Sequence, residues 1–230
     1  MANIINIETS SRVCGVAVSS EGMVEFQRED LEGMKHAERL APFVEDCLDF
    51  MARREMPLDA VAVSIGPGSY TGLRIGLSLA KGLCFAKEVP LIGVSTLKTI
   101  AVKAMFRNLD WQGDEILVPM IDARRMEVFA GAYDFALHDM MKPGPVILDE
   151  KSFGDLLATR RCFFMGDGSA KFKDVVKSPN ASFVDGLEPH ARDMIALSEK
   201  AFRERDFIDV AYSVPEYLKE YQTTAPRPRL

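Results

Sequence analysis

The sequence is short of the residues that reactive centres are commonly built from. Its three histidines, His36, His138 and His190, lie far apart and form no H-x-x-x-H pair, so no metal site is implied. Cys14, Cys47, Cys84 and Cys162 are the four cysteines; none forms a C-x-x-C pair and each sits in an apolar stretch, as buried thiols in a reducing cytoplasm would. Ser69 lies in G-P-G-S-Y-T-G rather than G-x-S-x-G, and no histidine is nearby, so a nucleophilic triad has no support. No run of about 18 apolar residues is present to cross a membrane. The opening MANIINIETS lacks the basic and long apolar regions of a signal peptide, so a cytoplasmic protein is expected. Basic residues are in deficit as well. Lys+Arg is 28 against 34 Asp+Glu, a net charge of −6, which makes the chain a poor candidate for gripping a phosphate backbone unaided.

What is present is ordinary globular composition over 230 residues, 47% hydrophobic and 27% charged, enough for one large domain or two small ones. Asn3 to Ile7, Val13 to Ser19 and Met23 to Arg28 read as a β-meander. A helix follows from about His36 to Arg53, then a continuously apolar strand, Val61 to Ile65, suited to the middle of a sheet covered on both faces. Gly66-Pro67-Gly68-Ser69 leads into a helix from about Thr71 to Lys87. A strand at Pro90 to Val94 and a helix at Leu97 to Met105 complete the first half. The second half repeats the plan: strand Ile116 to Ile121, turn Asp122-Ala123-Arg124-Arg125, and return strand Met126 to Tyr133. A break is expected at Pro143 to Pro145, and a third strand at Val146 to Leu148. Helix Ser152 to Thr159, capped by Ser152, precedes a strand at Cys162 to Met165, then Gly166-Asp167-Gly168-Ser169 and a long helix from about His190 to Arg205. Laying Ile7-Glu8-Thr9-Ser10-Ser11-Arg12 over Ile121-Asp122-Ala123-Arg124-Arg125 suggests a duplicated α/β domain. The expected division is 1–105, 106–211 and a surface tail, 212–230.

Two features could carry function. Gly66, Gly68, Ser69, Thr71, Gly72 and Arg74 join a buried strand to a helix N-terminus, which can hold an anion. The spacing G-x-G-x-x-x-G is neither a dinucleotide fingerprint nor a P-loop, so a tight turn capped by Ser69 or Thr71 competes with that reading. Asp122 with Arg124 and Arg125 could likewise bind an anion or form a salt-bridged turn. The second feature is the apolar width of two helices. In the helix from His36, residues Ala37, Leu40, Ala41, Val44, Leu48 and Met51 form one face and Phe43, Cys47 and Phe50 widen it beyond a single core contact. In the next helix Gly72, Gly76 and Ala80 make a stripe of small residues beside Leu73, Ile75 and Leu79. Either the helices have two neighbours within the domain, or they present an apolar surface to a second chain.

These residues resemble a known family. Ile7-Glu8-Thr9-Ser10-Ser11 is similar to the I-D-T-S opening of the TsaB (YeaZ) family, and Gly66 to Gly76 to its GPGSFTGLRIG signature, with Tyr70 for Phe. Val94-Ser95-Thr96-Leu97, Ile121-Asp122-Ala123-Arg124-Arg125 and Pro215-Glu216-Tyr217-Leu218-Lys219 match further elements in order along nearly the whole chain. The resemblance implies the α/β fold of the actin/Hsp70/sugar-kinase (ASKHA) superfamily, two duplicated domains with mixed sheets. It implies a non-catalytic subunit in making N6-threonylcarbamoyladenosine in tRNA, paired with the catalytic paralogue TsaD and joined by the ATPase TsaE. It also implies pairing, as a homodimer or with TsaD, through the two apolar helices, with His36, Leu40, Phe43, Cys47, Phe50, Gly72, Leu73, Ile75, Gly76, Leu79 and Ala80 at the interface. Glu8, Thr9, Ser10, Gly66, Gly68, Ser69, Thr71, Arg74, Asp122, Arg124 and Arg125 are then expected as vestigial phosphate or nucleotide loops. No cofactor is expected in the isolated chain, a nucleotide only at the complex interface, and tRNA contact only through the complex. Ala123-Arg124-Arg125 stands where a phosphate loop wants Gly and Thr, and long side chains there would block close backbone approach. The competing readings are a small ATPase or kinase relative using Glu8, Asp122 and the Gly66–Gly72 loop, and a glycoprotease-like peptidase.

Overall fold

Each half of the chain folds its strands in the same spatial order. In the computed structural model, which describes residues 2–33, 35–107 and 111–219, the first half comprises β1 (Asn3–Glu8), β2 (Cys14–Ser20), β3 (Met23–Asp30), α1 (His36–Arg53), β4 (Ala60–Gly66), α2 (Tyr70–Lys87), β5 (Leu91–Ser95) and α3 (Thr96–Met105). The second comprises β6 (Ile116–Asp122), β7 (Glu127–Tyr133), β8 (Asp139–Ile147), α4 (Gly154–Thr159), β9 (Cys162–Met165), α5 (Ser169–Lys173), β10 (Ala181–Val184), a 3-10 turn (Ala191–Met194) and α6 (Ile195–Glu204). The two five-stranded sheets run β3-β2-β1-β4-β5 and β8-β7-β6-β9-β10. In both, the first three strands are antiparallel and the last two are parallel to the central one. This is the duplicated mixed-sheet α/β architecture that the resemblance implies.

Strand periodicity explains how each sheet is sandwiched. Successive side chains point to opposite faces. Ile5, Ile7, Val61 and Val63 face α1 and α2, where Leu40, Val44, Cys47 and Met51 recur at helical spacing. Ile4, Ala60, Ala62, Ile92 and Val94 face the other way and meet Met194, Leu197, Ala201 and Phe202 around α6. A buried polar knot anchors α6 there: Ser198 Oγ donates to Asn6 Oδ1 at 2.6 Å, and Asn6 Nδ2 donates to Ser19 Oγ at 3.0 Å. Helix α3 in turn covers the second sheet, setting Leu97, Ile100, Ala101 and Ala104 against Leu117, Tyr133, Phe163 and Met165. The packing therefore crosses the expected boundary at 105/106, because each half lends its last helix to the other half's sheet.

Several local expectations need correction. Ser152 does not cap α4; Phe153 stands at that position, and Ser152 Oγ instead bonds Asp149 and the Ile147 carbonyl. Pro143 and Pro145 do not break the chain but lie within β8, an edge strand, where a missing N–H is tolerated. The helix expected from His190 starts as a 3-10 turn. Short elements α5 and β10 carry too few residues to show a period. Residues 212–219 of the expected surface tail are tied down: Glu216 N donates to Ile65 O at 2.7 Å and Lys81 Nζ to the carbonyls of Ala211 and Ser213 at 3.0 and 2.6 Å. Residues 220–230 lie outside the described part.

Candidate functional site

A cleft of about 840 Å³ opens between the halves. Its walls come from the two equivalent hairpin turns, β1–β2 and β6–β7, and from the starts of α1 and α2. Ser10, Arg12, His36, Ser69 and Thr71 line one side and Asp122, Arg124 and Asp167 the other. The loops after β4 and β9 are equivalent too, Gly66-Pro67-Gly68-Ser69 and Gly166-Asp167-Gly168-Ser169.

The glycines of the first loop serve the chain's own backbone. A Cβ at Gly68 would lie 2.3 Å from Ser10 O, one at Gly72 2.1 Å from Thr9 O and one at Gly76 2.2 Å from Thr9 Oγ1. The start of α2 thus docks directly on the Thr9-Ser10 turn. Two of its end donors are engaged, Ser69 N donating to Ser10 O at 2.6 Å and Gly72 N to Ser69 Oγ at 3.2 Å, and Leu73 N makes the first helical bond, to Ser69 O at 2.9 Å. Ser69, and not Thr71, is the cap. Gly66 meets the carbonyl of Glu216, from the C-terminal segment. Arg74 does not line the cleft. It lies over the Tyr70 ring at 4.1 Å and donates from Nε to Tyr217 Oη at 2.9 Å.

The two acidic turn residues differ in state. Glu8 is fully buried; its Oε1 accepts from Ser10 N at 2.6 Å, while Oε2 has no hydrogen-bond partner among the described residues. Burial pushes its carboxyl above the ordinary range, against the lowering effect of the Ser10 and Ser64 hydrogen bonds. Asp122 goes the other way. Partial burial opposes ionisation, but Lys171 Nζ at 2.7 Å and the Arg124 N–H outweigh it and hold the carboxyl low. The ion pair of Asp122 is with Lys171 of α5 and not with Arg124 or Arg125, of which Arg124 contributes only its backbone N–H. Arg124 and Arg125 both take left-handed backbone, φ 72° and 51°, the conformation glycine favours. Arg124 reaches the cleft, and both side chains are exposed.

The expected helical interface divides. Leu40, Cys47, Leu73 and Ala80 are at most 1% exposed, and Gly72, Gly76 and His36 are buried as well. Leu40, Cys47 and Ala80 lie in the core of the first sheet, Gly72 and Gly76 pack on the Thr9 turn so that the small-residue stripe has no surface left, Leu73 is buried beside Gly66, and His36 lines the cleft. Phe43, Phe50, Ile75 and Leu79 are half-buried at the edge of that core. Phe50 stacks on Phe26 of β3 at 4.8 Å, which turns the Phe43–Phe50 side of α1 toward the sheet edge. Phe85, which the sequence reading did not single out, is 83% exposed on α2. Burial raises the thiols of Cys14 and Cys47 to about 12 and those of Cys84 and Cys162 to about 11, so none is reactive near neutrality. Among the described residues no three His, Cys, Asp or Glu side chains converge as a metal site, and no helix is long and apolar enough to cross a membrane.

Comparison with known proteins places this geometry among relatives. The family profile of "TsaD: tRNA N6-adenosine threonylcarbamoyltransferase" matches residues 31–227. The tRNA threonylcarbamoyladenosine biosynthesis protein TsaB of Escherichia coli is 31% identical, covering 94% of each chain. Its counterpart in Bacillus subtilis is 29% identical, covering 94% of this chain and 93% of that protein. Among solved structures, a Pseudomonas aeruginosa protein described as similar to peptidase YeaZ superposes with a TM-score of 0.81 at 28% identity, over 95% of this chain and all of that one.

Proposed function

This chain belongs to the TsaB (YeaZ) family, and from that membership we propose that it is the non-catalytic subunit of the machinery that makes N6-threonylcarbamoyladenosine in tRNA. In this reading it binds and activates the catalytic paralogue TsaD, the ATPase TsaE joins the assembly, and the chain can pair with itself when alone. It carries no cofactor by itself and works in the cytoplasm.

The observation that carries the non-catalytic part is the docking of α2 on the Thr9-Ser10 turn. A helix N-terminus binds phosphate with free N–H groups and room for close approach. Here Ser69, Gly72 and Leu73 N–H groups bond within the chain, and the glycines that would admit a phosphate admit Thr9 and Ser10. Across the cleft, Asp122 is neutralised by Lys171 and the adjoining turn carries arginines on glycine-like backbone.

The test is reconstitution on unmodified tRNA with threonylcarbamoyl-adenylate, reading the modified nucleoside by mass spectrometry. TsaD with this chain and TsaE should modify tRNA; the chain alone should not. Light scattering should show a stable complex with TsaD, and Asp122→Asn should transfer like wild type. ATP turnover by the isolated chain, lost in Asp122→Asn, would instead establish the kinase-like enzyme.

A further inference from the structure

The C-terminal segment builds a feature that the scaffold role leaves unused. Tyr217 returns over the start of α2, where its ring centroid lies 5.1 Å from that of Tyr70. The Arg74 guanidinium lies over both rings, at 4.1 Å from Tyr70 and 5.8 Å from Tyr217. Burial would be the ordinary fate of such a stack, yet Tyr70 is 37% and Tyr217 42% exposed. The segment then crosses to the other half, where Lys219 Nζ meets Glu127 Oε2 at 2.6 Å. Glu127 N donates to Arg124 O at 3.1 Å, so the Arg124-Arg125 turn adjoins the same rim, and Tyr70 and Arg124 both line the cleft.

The cations of this rim are Arg74, Arg124 and Arg125; Asp167 and Glu188 line the same cleft, Glu188 paired with Arg12, and Glu216 precedes Tyr217. Glu127 is matched by Lys219 and Asp122 by Lys171, while Arg74 bonds a phenol and the Arg125 side chain has no acidic partner among the described residues. The net charge of the whole chain is −6. Two exposed tyrosine rings interleaved with a guanidinium, bordered by arginines, form a surface on which unpaired bases stack while phosphates meet the cations.

We infer that Tyr70, Arg74 and Tyr217, with Arg124 and Arg125 beside them, form a direct contact for single-stranded nucleotides of the substrate tRNA. This rests on the tRNA-modification reading and departs from the expectation that tRNA is touched only through partners. Tyr and Arg also occur at protein interfaces, so a protein is the competing occupant; the guanidinium set between two ring faces, with further arginines on the adjoining turn, favours a stacked nucleotide.

The experiment uses the assembled complex with TsaD and TsaE and, in parallel, the chain alone. Ultraviolet cross-linking to tRNA, mapped by mass spectrometry, should place adducts on Tyr70 or Tyr217 in both. Tyr217→Ala should weaken tRNA binding about tenfold, and Tyr217→Phe, which keeps the ring, should restore it. Arg125→Glu, on an exposed turn without strap contacts, should weaken binding and reduce the slope of log affinity against log salt by about 0.7. Subunit stoichiometry should not change in any variant. Unaltered tRNA affinity in both Tyr217→Ala and Arg125→Glu would overturn the inference. So would loss of subunit association without tRNA, which would assign the surface to a protein. Failure of the wild-type chain to associate with TsaD would sink the subunit reading instead, and the cross-link to the isolated chain would still decide the nucleotide contact.

Discussion

Thr9 and Ser10 account for three of the glycines that make the Gly66–Gly76 segment conspicuous. Any side chain at Gly72 must displace the Thr9 carbonyl, which is backbone and cannot swing aside. Gly72→Ala should therefore lower stability by about 1–3 kcal/mol, measured as a shift of the denaturant midpoint. Gly82, on the same helix, has open space around its Cβ position, and Gly82→Ala should raise stability by about 0.5–1 kcal/mol. Equal effects at the two sites would refute the close approach. Glu8 permits a second test. Its folded carboxyl titrates above the unfolded value of 4.5, so the native state holds the proton longer. The stability it contributes is complete below pH 4.5 and is lost as pH rises through the folded value. Glu8→Gln should remove that decline, so that the variant's thermal midpoint gains on wild type between acid and neutral pH. A constant difference across that range would mean that Glu8 titrates normally.

At the scale of elements, α1 and α2 are wide because each packs both on the sheet and on the other helix within one core. Leu40, Val44, Cys47 and Met51 meet the sheet, and the neighbouring residues form a half-buried margin. If these helices pair with a second chain, the surface available to them is that margin together with the exposed Phe85. Leu79→Arg should keep the thermal midpoint near wild type and weaken association about tenfold or more, read by light scattering. Gly76→Arg, at a residue expected at the interface, should destabilise the monomer, because Thr9 Oγ1 occupies the space. The C-terminal segment is an element of its own, held by hydrogen bonds to Lys81 and to Ile65 O. Lys81→Met should release it, costing about 1 kcal/mol locally. Amide exchange at Glu216 reports this directly; unchanged protection would mean that Pro215 and the tyrosine stack hold the segment without Lys81.

The whole molecule is two copies of one plan whose packing crosses the point where the sequence repeats. Sheet β3-β2-β1-β4-β5 has one face covered by α1 and α2 and the other by α6, which arrives from the far end of the chain. A fragment of residues 1–105 would expose Ile4, Ala60, Ala62, Ile92 and Val94, all at most 3% exposed in the intact protein. Such a fragment should show no cooperative thermal transition and should bind a hydrophobic dye. A sharp transition in the isolated fragment would mean that α6 is dispensable to the first core.

Local pattern was enough for much of this. The short apolar runs Asn3 to Ile7 and Val13 to Ser19, the buried run Val61 to Ile65 and the helical spacing of Leu40, Val44, Cys47 and Met51 each carry their structure within a few residues, because burial shows in local composition and spacing. The two acidic turns and the duplication were legible for the same reason, and the ordered motifs were enough to suggest the family. Which residues stay accessible was not legible. Apolar spacing says that a face is covered but not by what, and only the approach of α2 to Thr9 decided that Gly72 and Gly76 lie inside. The packing of α6 on the first sheet and the meeting of Tyr70 with Tyr217 join residues roughly a hundred or more positions apart, and α3 reaches on to Phe163 and Met165 of the second sheet. Contacts of that separation leave no period in the chain; they are set by how the two sheets come together.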